Sequence, residues 1–226
     1  MGCSESDQSG CHSDESPGHM VNLTNAFYLG RYEVTQAQWQ ARMGSNPSFF
    51  KSASAQVPAE RVPNRPVEQV SWNQIAGSAG FMVQTGMRLP TEAEWEYAYR
   101  AGTTTAFHGV AGYLNGTNDD TLVGSIAWYT SNSNGQTRPV GGKAANGFGV
   151  HDMAGNVFEW VSDWYSNSYY KSSPSQNPPG PASGISRVFR GGSWSNGTDN
   201  LRASYRYLGT PDFAFNFVGC RAARSP

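Results

Sequence analysis

The chain has 226 residues, enough for one sizeable core and cramped for two full domains. Its 16 basic and 17 acidic side chains nearly cancel, leaving a formal net charge of −1. That balance provides no electrostatic footprint for nucleic acid or an anionic membrane surface, so no nucleic-acid partner is expected. Only 15% of residues are charged, while 13% are aromatic and Gly and Pro number 26 and 13. This mixture suits an irregular, loop-rich globular fold held by aromatic burial. No apolar run approaches the roughly 18–20 residues that cross a bilayer. The three cysteines, Cys3, Cys11 and Cys220, are too few for a disulfide framework. The many Asn, Ser and Thr and the scarce Lys fit a secreted or cell-surface protein.

Residues 1–19 read as a disordered polar leader with almost nothing apolar to bury. Its start, Met1-Gly2-Cys3, resembles the processed beginning of a bacterial lipoprotein. That resemblance implies a lipidated Cys3 and a polar tether, placing the protein on a cell surface or outer membrane with membrane contact only through the lipid. A local Cys3–Cys11 disulfide is the alternative.

A first strand is predicted around Phe27–Val34. Thr35 with Gln38 forms a capping-box signature for a helix carrying Ala37, Trp39, Ala41 and Met43 and stopping at Gly44. Ser71 with Gln74 opens a second helix through Ile75, Phe81, Met82 and Val83 to near Gly86, weakened by Gly77 and Gly80. Thr91 with Glu94 opens a third, through Trp95, Tyr97, Ala98 and Tyr99, stopped at Gly102. From there to Gly147, long loops surround one or two short strands, with an apolar island at Ile126-Ala127-Trp128-Tyr129. A turn then leads into a strand across 148–164, and a Ser/Pro/Tyr-rich surface loop covers 167–183. Val188–Arg190, Arg202–Arg206 and Gly219–Ala223 are the closing strand candidates. Residues 20–226 contain no repeat and no linker and read as one domain.

Five segments, Tyr32-Glu33-Val34-Thr35, Pro66–Trp72, Arg88–Glu96, Gly155–Trp160 and Arg190-Gly191-Gly192-Ser193-Trp194, resemble the formylglycine-generating-enzyme and sulfatase-modifying-factor family. The fold class this implies is α+β, a loop-rich variant of the C-type lectin fold with small antiparallel sheets and a few short helices. Oxidase members hold copper with two cysteines just beyond the Gly-Gly-Ser-aromatic motif. Asn196 and Leu201 stand at the matching positions, and neither is a soft-metal ligand. A second, iron-dependent branch needs a His-rich ligand set, whereas four scattered histidines are present. A sugar-binding lectin reading lacks the Glu-Pro-Asn or Gln-Pro-Asp motif. A third branch, the variable proteins of diversity-generating retroelements, matches the closing layout. Gly191–Trp194, Leu201–Arg206 and Gly219-Cys220-Arg221 frame two patches.

The patch lies at about 194–220. Ser195, Asn196, Gly197, Thr198, Asp199, Tyr207, Leu208, Gly209, Thr210, Phe213, Ala214, Phe215, Asn216 and Phe217 are its candidate ligand-binding residues. Aromatic area with few rotors beside small polar side chains is the composition of an adaptable paratope. On a strand, Phe213, Phe215 and Phe217 would share one exposed face. No nucleophile has a credible base, so a non-enzymatic binding protein is expected. Its ligand would be a protein or glycan on another cell, and the chain itself a monomer. The same resemblance implies a structural Ca²⁺ held by Asp152, the carbonyls of Gly155 and Val157, and Glu159. Alternatively, those carboxylates brace the loop. Arg190, Arg202, Arg206 and Arg221 sit in or beside strands, where guanidinium forks brace carbonyls and carboxylates.

Overall fold

A computed structural model describes residues 1–4, 10–109 and 115–226. Three capping boxes start helices as the sequence predicts. Thr35, Ser71 and Thr91 each accept the N–H of the residue three positions on, and Gln38, Gln74 and Glu94 accept in return from the cap amides. Each box satisfies two otherwise orphaned donors. Helix α1 spans Gln36–Met43 and ends on Gly44 at φ 78°. Helix α4 spans Glu92–Arg100, its C-cap being Ala101 rather than Gly102.

The single helix predicted from Ser71 to Gly86 is two: α2, Trp72–Ala76, and α3, Phe81–Thr85. The break falls on Gly77 and Gly80, where a Cβ would press against the Asn73 and Ile75 carbonyls. Their lost backbone freedom is unopposed there, and the chain turns instead of continuing.

Among the described residues, six short strands follow two plans. Strand β1, Tyr28–Leu29, pairs antiparallel with β6, Ala223–Arg224. Strands β2 (Phe158–Trp164), β3 (Arg187–Arg190), β4 (Arg206–Gly209) and β5 (Val218–Cys220) form a sheet in the order β4-β3-β2-β5. All pairs are antiparallel except β2–β5, which is parallel, with Trp160 opposite Cys220. The predicted first strand shrinks to two residues, and Ile126–Tyr129 contributes only a bridge from Trp128 to Gly155. Of the predicted Arg202–Arg206 strand, only Arg206 is in β4.

The sheet divides two cores. Phe158, Trp160 and Phe189 face one with Trp39, Ile75 and Phe81; Val161 and Val188 face the other with Trp95, Tyr99 and Ile126. Complete burial of Trp160 alone stabilises the fold by about 4–6 kcal/mol on apolar-area grounds.

The leader is a correction. Its described residues are packed, not disordered; residues 5–9 lie outside the described set. Cys3 is bridged to Cys11, so its sulfur is not free for the expected lipid, and the alternative pairing holds. Glu15 is fully buried and forms a two-pronged pair with Arg202 at 2.8 Å on both nitrogens. The Gly2 amide donates to Glu96 at 2.9 Å, and the Asp14 carbonyl accepts from Arg206 at 3.0 Å. The polar residues that suggest disorder find partners on the far side of the sequence. The described residues of this leader therefore act as a strap across the domain.

Candidate ligand-binding face

The predicted patch is framed by a stiff rim. Gly191 and Gly192 adopt φ 95° and 72°. A Cβ on Gly191 would lie 2.8 Å from the Met153 carbonyl, and one on Gly192 would collide with Leu201. Only glycine passes there. Trp194 donates its ring N–H to the Asn216 carbonyl at 2.9 Å and its amide to the Asn156 carbonyl at 2.9 Å. That ring contact ties the first loop of the patch to the second.

In the first loop, Ser195, Gly197 and Asp199 are exposed, while Asn196 and Thr198 are half-buried. The Asn196 side chain is engaged by Ser193 at 2.5 Å, and its carbonyl accepts from Thr130. In the second, Tyr207 and Leu208 project from β4 with 46% and 40% of their surface exposed. Thr210 is exposed, but Gly209 is buried, packed so closely that a Cβ would touch Trp160, Phe189 and Phe213. Asp212 accepts from Asn73, and Ala214 lines a cleft of about 870 Å³ beside Trp39.

The three phenylalanines share a surface, though not by strand alternation. Residues 210–217 form turns, and the rings stack in series. Phe213 to Phe215 is 4.5 Å between centroids, and Phe215 to Phe217 is 5.5 Å. Phe215 is half-exposed, whereas Phe213 and Phe217 lean on the core beneath. The amide of Gln69 fixes this turn by donating to the Phe215 carbonyl at 2.9 Å.

Between the two loops, Arg202 and Arg206 are buried and fully engaged. Arg206 meets Glu92 at 2.7 and 2.9 Å, and Glu92 also lies 3.6 Å from Arg190. Arg190 in turn pairs with Glu96 at 2.6 Å. These arginines brace, as the sequence suggests, and none faces solvent. Breaking one such pair leaves its partner charge buried and costs several kcal/mol, so the loops hang from a rigid bar.

The oxidase positions are empty of that chemistry. Leu201 is completely buried in the core, with its carbonyl held by the Tyr99 hydroxyl at 2.6 Å, and Asn196 is spent on the loop. Cys220 is buried in β5; burial first, then the Glu159 and Glu33 charges, push its thiol far up, so it is a packing residue rather than a nucleophile.

Of the four calcium donors implied by the resemblance, the two carboxylates are held differently in this structure. Glu159 is occupied on both oxygens: Arg221 contacts them at 2.6–3.1 Å, and the Trp95 ring N–H donates at 2.7 Å. Asp152 accepts from Gly141 at 2.6 Å through one oxygen, and its other buried oxygen has no partner among the described residues. Gly155 sits at φ 78° and donates its amide to the Gly191 carbonyl, while the Val157 amide donates to Glu33 at 3.2 Å. Among the described residues no three acidic, His or Cys side chains converge as a metal site. The guanidinium of Arg221 pairs with Glu159 and donates to the Gly30 and His151 carbonyls. His151 contributes its carbonyl to that guanidinium and its ring to the Lys143 carbonyl, a structural role.

Three parts of this region escape the sequence reading. Glu33, within the Tyr-Glu-Val-Thr motif, is fully buried, where it accepts from Asn156 at 2.7 Å. Burial and the nearby Asp152 and Glu159 charges hold its carboxyl well above the usual range. The loop at Phe49-Phe50 borders the rim, with Phe50 5.2 Å from Trp194 and Phe49 exposed. Glu68 pins it by accepting both amides, at 3.1 and 2.9 Å. Only the motif membership of Glu33 and Glu68 signals these roles. Glu15, holding Arg202 from the leader, has no local signal.

A family model for the sulfatase-modifying factor enzyme 1-like domain matches residues 1–226. Among curated proteins, a formylglycine-generating enzyme of Streptomyces coelicolor is 38% identical, over 71% of this chain and 53% of its own length. A serine/threonine-protein kinase pkn1 of Chlamydia caviae is 32% identical over 93% of this chain but 35% of its own length. The chain thus spans about a third to a half of these relatives. Among solved structures, Treponema denticola variable protein 1 superposes with a TM-score of 0.83 at 32% identity, covering 100% of this chain and 92% of the other. PvdO from Pseudomonas aeruginosa superposes at 0.78 and 28% identity, covering 100% and 90%.

Proposed function

This chain belongs to the sulfatase-modifying factor enzyme 1-like family, and within it we propose that the face at 195–217 is a diversified, non-catalytic binding surface. One observation carries the reading. Tyr207, Leu208, Thr210 and Phe215 are exposed, on loops whose anchors are scaffold contacts made by Trp194, Gln69, Arg202 and Arg206. Side chains can change on such a surface while the anchors stay. The likeness to a Treponema variable protein supports this, as does the absence of a thiol at positions 196 and 201. The partner is a protein or glycan met outside the cell, and the Cys3–Cys11 bridge supports an oxidising compartment.

The test has two arms. Replacing Tyr207, Leu208, Thr210 and Phe215 together with unrelated residues should leave the melting temperature within a few degrees, since exposed sites usually contribute under about 0.5 kcal/mol each. Unfolding of that variant would refute a replaceable face. Incubation with Cu(I), oxygen and a cysteine-containing peptide should leave the peptide mass unchanged. Conversion of its cysteine would establish an oxidase instead.

A further inference from the structure

A second concavity shares no residue with this face. It is a groove of about 1130 Å³ between the segment Val21–Leu29, the outer side of α4 and the turns at Phe148 and Ser175. Tyr28, Tyr97 and Phe148 expose 66%, 53% and 50% of their surface there. The Tyr97 and Phe148 rings are 5.4 Å apart at 45°, and Phe27 meets Tyr97 at 6.4 Å, giving a continuous aromatic wall. Along the opposite lip lie amides and hydroxyls. Thr24 is clipped to Asn177 by its amide at 2.9 Å and its hydroxyl at 2.6 Å, and Gln176 also reaches Thr24 at 3.3 Å. Asn22 is joined to Ser175 and Asn177 through backbone bonds. The lip is therefore preformed from two segments distant in sequence. The neighbouring Asn25 side chain makes no hydrogen bond to the described residues.

None of the described residues lining the groove is charged. An anionic or cationic ligand would lose hydration without meeting a counter-charge. A purely apolar segment would leave the Asn25 amide and the remaining hydrogen-bonding capacity of Gln176 and Thr24 buried and unused. A neutral sugar ring satisfies both walls. Its axial C–H bonds lie against the electron-rich aromatic faces, and its hydroxyls exchange hydrogen bonds with Asn, Gln and Thr. We propose that this groove binds a neutral oligosaccharide, several rings long, without calcium. The site exceeds the usual volume range for a single drug-sized ligand, which is why an oligomer suits it better than a monosaccharide.

The test is affinity electrophoresis of the folded protein through native gels containing hydroxyethylcellulose, galactomannan or soluble starch, with polygalacturonate as the charged control and EDTA present throughout. Retardation by at least one neutral polymer, weakened about tenfold or more in Tyr97→Ala and Tyr28→Ala but unchanged in Phe215→Ala, is the expected result. Phe215→Ala separates this groove from the proposed face, and circular dichroism verifies the fold of each variant. Absence of retardation by all three neutral polymers, stronger retardation by polygalacturonate, or retardation lost only in Phe215→Ala overturns the proposal. So does a change of oligomeric state in Tyr97→Ala by sedimentation, which would make the groove a contact between copies.

Discussion

Arg221→Met removes the guanidinium that faces Glu159, Glu33 and Asp152 while retaining much of its buried apolar stem. Arg221 makes two-pronged contact with Glu159 and donates to the carbonyls of Gly30 and His151, both at 2.8 Å. Both partners are almost wholly buried, so deleting one strands the other; the expected cost is about 3–5 kcal/mol. For a domain of this length each kcal/mol moves the melting temperature by roughly 2–4 °C, giving a fall of about 6–20 °C near neutral pH. The loss has a pH signature. Burial already pushes Glu33 up and Asp152 up to about 6, and Arg221 opposes both shifts. Without it their folded values rise further above the unfolded ones. The native state then binds more protons than the unfolded state, and stability increases as pH falls through that window. Calorimetry from about pH 5 to 8 should show the gap to the parent narrowing toward acid. In Glu159→Gln/Arg221→Met no full charge remains stranded at 159, so the double variant should be more stable than Arg221→Met. A drop below about 3 °C, independent of pH, would refute the view that this pair closes the fold.

Two further outcomes follow from other buried groups. The carboxyl of Asp163 is pushed up to about 7, by burial first and the Glu92 charge second. Stability should therefore fall as pH rises from about 4 to about 7, and Asp163→Asn should flatten that slope in melting curves; an unchanged slope would contradict the assignment. Replacing Cys3 and Cys11 together with Ser should cost about 2–3 kcal/mol for a loop of this size and lower the melting temperature by roughly 4–12 °C. A shift under about 2 °C would mean Glu15 and Gly2 hold the strap unaided.

What could be read in the sequence is local or motif-borne. The boxes at Thr35, Ser71 and Thr91 are complete within four residues, so helix starts are legible and correct. Gly77 and Gly80 were visible as weaknesses, but whether a helix survives two glycines depends on what packs there. The Gly191–Trp194 and Gly219-Cys220-Arg221 segments flank loops on which Ser195, Tyr207 and Phe215 are exposed. Alternation of Phe213, Phe215 and Phe217 suggests a strand, but the turn from Thr210 overrides it, leaving Phe215 half-exposed and its two neighbours leaning on the core. The strap has no signature in the sequence because its stabilisation comes from Glu15 meeting Arg202, an ion pair with no periodicity to betray it. Likewise Glu159 offers the same chemistry to a calcium ion or to a guanidinium, and its pairing with Arg221 has no local signal in the sequence.

The pairing of β1 with β6 spans almost the whole described chain. Loop closure grows only logarithmically with length, so its equilibrium cost is modest, but the search for it is slow. During synthesis the consequence is an order of events. Glu33 and Glu159 leave the ribosome long before Arg221, and until that residue emerges their pocket has no central guanidinium to close upon. The nascent domain must wait, partly open, for its last strands.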